Sequence, residues 1–304
     1  MGTEPPARTA SLRGERRSAI TLRRAARRAP GSSRLSATMR DLEHLARAGV
    51  HIGIQVTDVE TGHSVLSGDA HVPMPIGAVG ILPMLLEVTT RMHEGDLDPQ
   101  QFISRADDDV AGSGLWRHLE TPELPLADVT ALAAASADRV ASNALLELVG
   151  TESVTRRMTS LGMTRSAILD RFRDERGPDD APHAAIGSAR EYAALFARIA
   201  RREGISDAVA DHLTALLAMQ RDVSLVGASM AVDPFPVGRE DDIILVNQVG
   251  RAPGMRAESG VAFGRRRSLA YALFVQMHDD ALLTRHRVHR AFRTLGEDIL
   301  EIIG

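Results

Sequence analysis

The chain has 304 residues, 44% hydrophobic and 25% charged, an ordinary balance for a soluble globular protein long enough to bury a sizeable core. It contains no cysteine, which excludes disulfides, thiolate nucleophiles and zinc–thiolate sites. It contains no lysine either: all 36 residues counted as Lys+Arg are arginine, and arginine stays protonated, so general-base and Schiff-base lysine chemistry are excluded too.

The charge is unevenly placed. Residues 1–34 carry nine arginines against Glu4 and Glu15, a net of +7, which leaves −11 for the rest of a chain whose total is −4. Pro, Gly, Ser and Ala fill the spaces between those arginines, so a disordered tail is expected. No apolar stretch follows the twin arginines Arg23-Arg24 and Arg27-Arg28, and no run is long enough to cross a bilayer. The expected location is cytoplasmic, without a membrane partner. Nucleic acid is disfavoured as a partner, the arginine-rich tail being the segment through which such a contact is expected.

From Leu35 the pattern becomes regular. Ser36 can cap a helix that runs to about Ala48, and His51–Asp58 with His63–Leu66 reads as a β-hairpin turning at Glu60-Thr61-Gly62. Apolar spacing near 3.6 then predicts helices over Leu85–Met92, Leu126–Ala135, Ser142–Val149, Val154–Leu161, Ala189–Arg201 and Ala208–Met219. Ile243–Val249, Ser259–Phe263 and Leu269–Met277 read as strands separated by Arg251-Ala252-Pro253-Gly254 and Gly264-Arg265-Arg266-Arg267, and Ala281–Ile303 as a closing amphipathic helix. That order predicts an α/β (α+β) fold: a five-stranded antiparallel sheet flanked by helices, from residues 35–72 and 222–304, with an all-helical subdomain over 73–221.

The stretch Pro75-Ile76-Gly77-Ala78-Val79-Gly80-Ile81-Leu82-Pro83 enters an apolar helix and resembles the nucleophile helix of the class A β-lactamase and penicillin-binding-protein family of serine hydrolases. Other anchors fall in order from Met39 to the C-terminus: Gly62 in the first turn, the run Asn143 to Gly150, Leu161-Gly162-Met163, Leu169-Asp170-Arg171-Phe172 opening an Ω-loop, and Gly250, Pro253 and Gly254 after the third motif. The resemblance implies the β-lactamase-like fold. It also implies four catalytic motifs, and this chain departs from the family in each, keeping only Asp138 and Gly250. The Ser-x-x-Lys positions hold Ala78 and Ile81, Ser-Asp-Asn becomes Ala137-Asp138-Arg139, Lys-Thr-Gly becomes Gln248-Val249-Gly250, and the Ω-loop glutamate becomes Arg173. A slipped alignment cannot rescue Ser-x-x-Lys in a chain without lysine, and losing a serine hydrolase's nucleophile alone costs about 10⁶ in turnover. No catalytic residue is therefore assigned.

Two functional expectations follow. The first is a pseudoenzyme that binds a small molecule, anionic if Arg139, Arg173, Gln248 or Arg251 contacts it, or else a partner, in the former cleft. The second is an enzyme with non-serine chemistry that uses Asp138 as base and the pocket arginines for an anion. No cofactor or metal is expected: His286 and His289 read as a solvated helix face and Asp107-Asp108-Asp109 as a surface turn. Trp116 is expected to pack under the helical insert, and Asp170, Arg171 and Asp179 or Asp180 to close the Ω-loop by ion pairs.

Overall fold

A computed structural model describes residues 35–105, 113–230 and 243–304. The arginine-rich segment 1–34 and Asp107-Asp108-Asp109 lie outside the described residues. Helix α1 (Ser36–Arg47) buries Met39, Leu42, Leu45 and Ala46 on one face and runs into the hairpin β1 (His51–Asp58) and β2 (Ser64–Gly68). The hairpin turn is held by Asp58, whose Oδ1 accepts from Thr61 N (2.9 Å) and Thr61 Oγ1 (2.8 Å), and by Gly62 at φ +71°.

The insert follows. It comprises β3 (Met74–Pro75), a 3-10 turn over Gly77–Ile81, α2 (Leu82–Glu94), β4 (Phe102–Ser104), β5 (Glu123–Pro125), α3 (Leu126–Ser136), α4 (Arg139–Val149), α5 (Thr151–Ser160), β6 (Ala167–Ile168), β7 (Ala185–Gly187), α6 (Ala189–Arg201) and α7 (Asp207–Ala218). The chain then completes the sheet with β8 (Ile244–Ala252), β9 (Met255–Phe263) and β10 (Ser268–Gln276) and closes with α8 (Leu282–Ile303). The main sheet has the order β2-β1-β10-β9-β8, antiparallel throughout. β10 is central and covered on both faces, which is why Ser268-Leu-Ala-Tyr-Ala-Leu-Phe-Val275 is a continuous buried run without alternation.

Two cores use the two faces of this sheet. One lies beneath α1 and α8 and includes Leu42, Tyr271, Phe292 and Val249; the other joins the sheet to the insert through Phe274, Tyr192, Ile81 and Trp116. The first core encloses a polar cluster. Glu258 on β9 accepts from Asn247 Nδ2 (2.8 Å), Tyr271 Oη (2.7 Å) and Val226 N (2.9 Å), and burial nonetheless pushes its carboxyl up to about 7. Thr38 N and Oγ1 both donate to Asp298 Oδ2 (2.9 and 2.7 Å), tying α1 to α8.

The insert is not all-helical: β3, β7 and β6 form a three-stranded sheet and β4 pairs with β5. Strands of two or three residues are too short to show an alternation. The insert packs on the sheet through α6, which lies on β10, β1 and β9 and sets Tyr192 edge-on to Phe274 at 5.8 Å. Ser36 opens α1 without a capping bond, and Leu35 precedes it. β8 and β9 run to a two-residue Pro253-Gly254 turn with Gly254 at φ +66°, so Arg251 and Ala252 are strand and β9 starts at Met255 instead of Ser259. Among the described residues no helix is long and apolar enough to cross a membrane.

Candidate functional site

The turn that enters α2 is pressed onto the edge of the sheet. A Cβ on Gly250 would overlap the Ile76 carbonyl oxygen, and one on Gly80 would overlap Ala185, while Gly77 at φ +52° abuts Gly250 and the Arg251 nitrogen. Glycine is needed at these three close approaches. The frame therefore places Ala78, partly exposed, on a turn packed against β8, and buries Ile81 completely in the insert core. At these two positions the site offers a methyl group and a hydrocarbon chain.

The second motif is a helix start. Ala137 takes the left-handed region at φ +50°, and Asp138 caps α4 with Oδ1 accepting from Ala141 N at 3.0 Å. Its Oδ2 accepts from Trp116 N at 2.8 Å, and its backbone oxygen accepts from Ser142 N and Oγ (2.8 and 2.7 Å). Asp138 is fully buried, and it is satisfied by backbone N–H groups at a helix N-terminus rather than by an arginine. Asp138 is not paired with its neighbour Arg139, which points instead to Asp174; Asp174 also accepts from Ser113 Oγ at 3.0 Å. Burial lowers the Arg139 pKa and Arg176 adds to this, against the opposing pull of Asp174.

On β8 the side chains alternate. Gln248 is fully buried, its Oε1 accepting from Gln220 Nε2, and its own Nε2 has no hydrogen-bond partner among the described residues. Val249 belongs to the core beneath α1 and α8, on the opposite side of the sheet. Arg251, two residues on, shares the Val249 side and is held by Asp222 through Nε–Oδ2 (2.7 Å) and Nη2–Oδ1 (3.0 Å). Burial pushes the Asp222 carboxyl up, but Arg251 and Ser224 outweigh it and hold it below the usual range.

The loop 170–184 is gated by Asn143, whose Nδ2 donates to Phe172 O (3.1 Å) and whose Oδ1 accepts from Phe172 N (2.8 Å). Its closing cation is Arg176, not Arg171. Arg176 donates to Asp170 Oδ2 (2.8 Å), Ala181 O (2.8 Å) and Arg171 O (2.9 Å), whereas Arg171 reaches outward to Glu147 (3.0 Å). Asp180 faces Arg173, at 3.6 Å and beyond hydrogen-bonding distance. Burial would raise the Asp170 carboxyl, yet the Arg171 N–H and the Arg176 guanidinium bring it below its ordinary value.

All three arginines expected to be free for an anion are thus matched with aspartates. The partners Asp174 and Asp222, and the stitching role of Arg176, were not evident beforehand. The alternation Arg173-Asp174-Glu175-Arg176 hinted at internal pairing, while Gln220 and Asp222 sit in a loop whose sequence carries no such signal. Trp116 is fully buried, donating from Nε1 to Thr121 O at 3.3 Å. His289 is not simply solvated: it is half-buried and accepts from Arg256 Nε at 3.3 Å.

A sequence model described as the beta-lactamase enzyme family matches residues 34–303. No curated protein matches the chain. Among solved structures, the beta-lactamase from Sphaerobacter thermophilus DSM 20745 is similar with a TM-score of 0.77 and 20% identity, over 88% of this chain and 97% of that one. A beta lactamase from Xanthomonas campestris pv. campestris gives 0.73 and 17% over 89% and 99%. A protein described as PBP-A gives 0.70 and 15% over 86% and 95%. At such identities these likenesses establish the fold alone.

Proposed function

The chain belongs to the beta-lactamase enzyme family, and from that premise we propose that it is a pseudoenzyme, a binding protein without acyl-enzyme chemistry. The single observation that carries this reading is the state of the nucleophile turn. The turn keeps its glycine-dependent seat on β8, yet presents Ala78 where the family has serine and sinks Ile81 into the core where the family has lysine. Acyl transfer needs a nucleophile and a base within hydrogen-bonding reach of each other. Neither exists at this turn. Beside the turn the Gln248 amide N–H₂ lacks a partner among the described residues but is itself fully buried, so a ligand carbonyl or other acceptor pairs with it only when the surrounding side chains open. The ligand is accordingly a small molecule with acceptor groups. An anion draws less support in the cleft than the sequence suggested, because Arg139, Arg173 and Arg251 each face a carboxylate.

The alternative of an enzyme with Asp138 as base is weaker, since both carboxylate oxygens already accept from the backbone and the group is fully buried. Incubation with a fluorescent penicillin followed by intact-protein mass spectrometry tests the main reading. No covalent adduct and no hydrolysis are expected; a stoichiometric acyl adduct would refute it. A thermal-shift screen over β-lactams, peptidoglycan fragments and neutral amides then asks for a ligand that prefers the folded state, and Gln248→Leu should abolish the shift caused by any hit in the cleft.

A further inference from the structure

A separate cavity of about 260 Å³ lies where β9 meets the first turns of α8, lined by Arg256, Leu282, Arg285, His286, His289 and Arg293. We propose that it binds a phosphate monoester, or free phosphate, as the dianion. This site lies on the α8 side of the sheet, opposite Gln248, and stands independently of the reading of the cleft.

The helix supplies the stripe. Arg285, His289 and Arg293 are four residues apart and so share one face of α8, and Arg256 on β9 faces them. Counter-charge is scarce there. Arg285 Nε lies 3.6 Å from Asp280 Oδ1 and makes no hydrogen bond, and neither Arg256 nor Arg293 forms an ion pair among the described residues. Arg256 gives its protons to the Ala252 and Met255 carbonyls (2.9 and 2.6 Å) and to His289 Nε2. Neighbouring Arg251 and Asp222 cancel each other. Three guanidiniums against one carboxylate leave two positive charges beside the cavity. A phosphate monoester carries about −1.5 to −2 at neutral pH and balances them, whereas a carboxylate or a phosphodiester brings one charge only. Guanidiniums also offer paired donors that match phosphate oxygens. Burial is the first cause that lowers the Arg256 pKa, with Arg251 and Arg285 adding to it against the opposing pull of Asp280 and Asp222, and burial with Arg251, Arg256 and Arg293 lowers that of His289 against Asp222. Leu282, 75% exposed, forms an apolar lip on which the organic part of an ester can rest.

The test is calorimetric titration of the full chain at low salt with methyl phosphate, inorganic phosphate and dimethyl phosphate. Methyl phosphate and inorganic phosphate should bind saturably at millimolar concentration or below, and singly charged dimethyl phosphate at least roughly tenfold more weakly. Arg256→Gln and Arg293→Gln should each weaken methyl phosphate by roughly tenfold or more. Arg293 is exposed on α8, so its variant keeps the fold and decides the matter even if Arg256→Gln does not. The proposal fails if methyl phosphate does not saturate, if dimethyl phosphate binds equally well, or if Arg293→Gln retains full affinity, which would place the ion on the arginine-rich segment 1–34 or elsewhere.

Discussion

Two residues set limits that others cannot relieve. Ile81 is fully buried in the insert core, so a lysine there would leave water without an assured partner, at a cost of several kcal/mol unless it gives up its proton. The double variant Ala78→Ser with Ile81→Lys is therefore expected to melt well below the parent and to show no β-lactam turnover, which calorimetry and a chromogenic cephalosporin assay will check. Glu258 limits stability instead. Its carboxyl titrates at about 7 in the fold against an ordinary 4.5, so the folded state holds the proton more tightly. Its contribution is complete below the unfolded value and is lost as pH rises through 7, to a total of about 3 kcal/mol. Urea denaturation at pH 5 and pH 8 should show that loss in the parent and not in Glu258→Gln, which stays neutral. His183, His212 and His289, whose pKa values burial lowers, slope the other way but equally in both proteins, so the difference isolates Glu258.

At the scale of an element, the loop 170–184 is fastened to α4 by Asn143 and to itself by Arg176. Arg176→Ala removes three hydrogen bonds that fasten the loop to itself, and should cost about 1–3 kcal/mol and speed proteolytic cleavage between residues 171 and 184. Arg171→Ala breaks only an exposed pair with Glu147 and should stay within about 1 kcal/mol; equal effects of the two would mean that the loop is fastened elsewhere. The same contrast explains what was legible beforehand. Helices such as α6 and the strand β10 announce themselves through long runs of apolar residues, and the vacancies at Ala78, Ile81 and Gln248 are read directly as residue types. The short strands β3, β6 and β7 carry too few residues to show a period. The choice among Asp174, Asp180 and Asp222 as partners depends on where loops bring carboxylates, which no local pattern encodes.

Across the whole molecule, the sheet is assembled from both ends of the chain, with the insert packed on one face and α1 and α8 on the other. In β1, His51 lies opposite Gln276, more than 200 residues later. A ribosome adding about 5–20 residues per second needs on the order of ten to fifty seconds to deliver that partner. Until then the β1–β2 hairpin is a lone pair of strands, which is at best marginally stable in water, and the insert lacks the sheet face that completes its core. Stalled chains ending near residue 240 should therefore be digested rapidly by a protease that spares the finished protein, and resistance should appear only once β10 and α8 have left the exit tunnel. For most of its synthesis this chain depends on whatever shields nascent apolar surface.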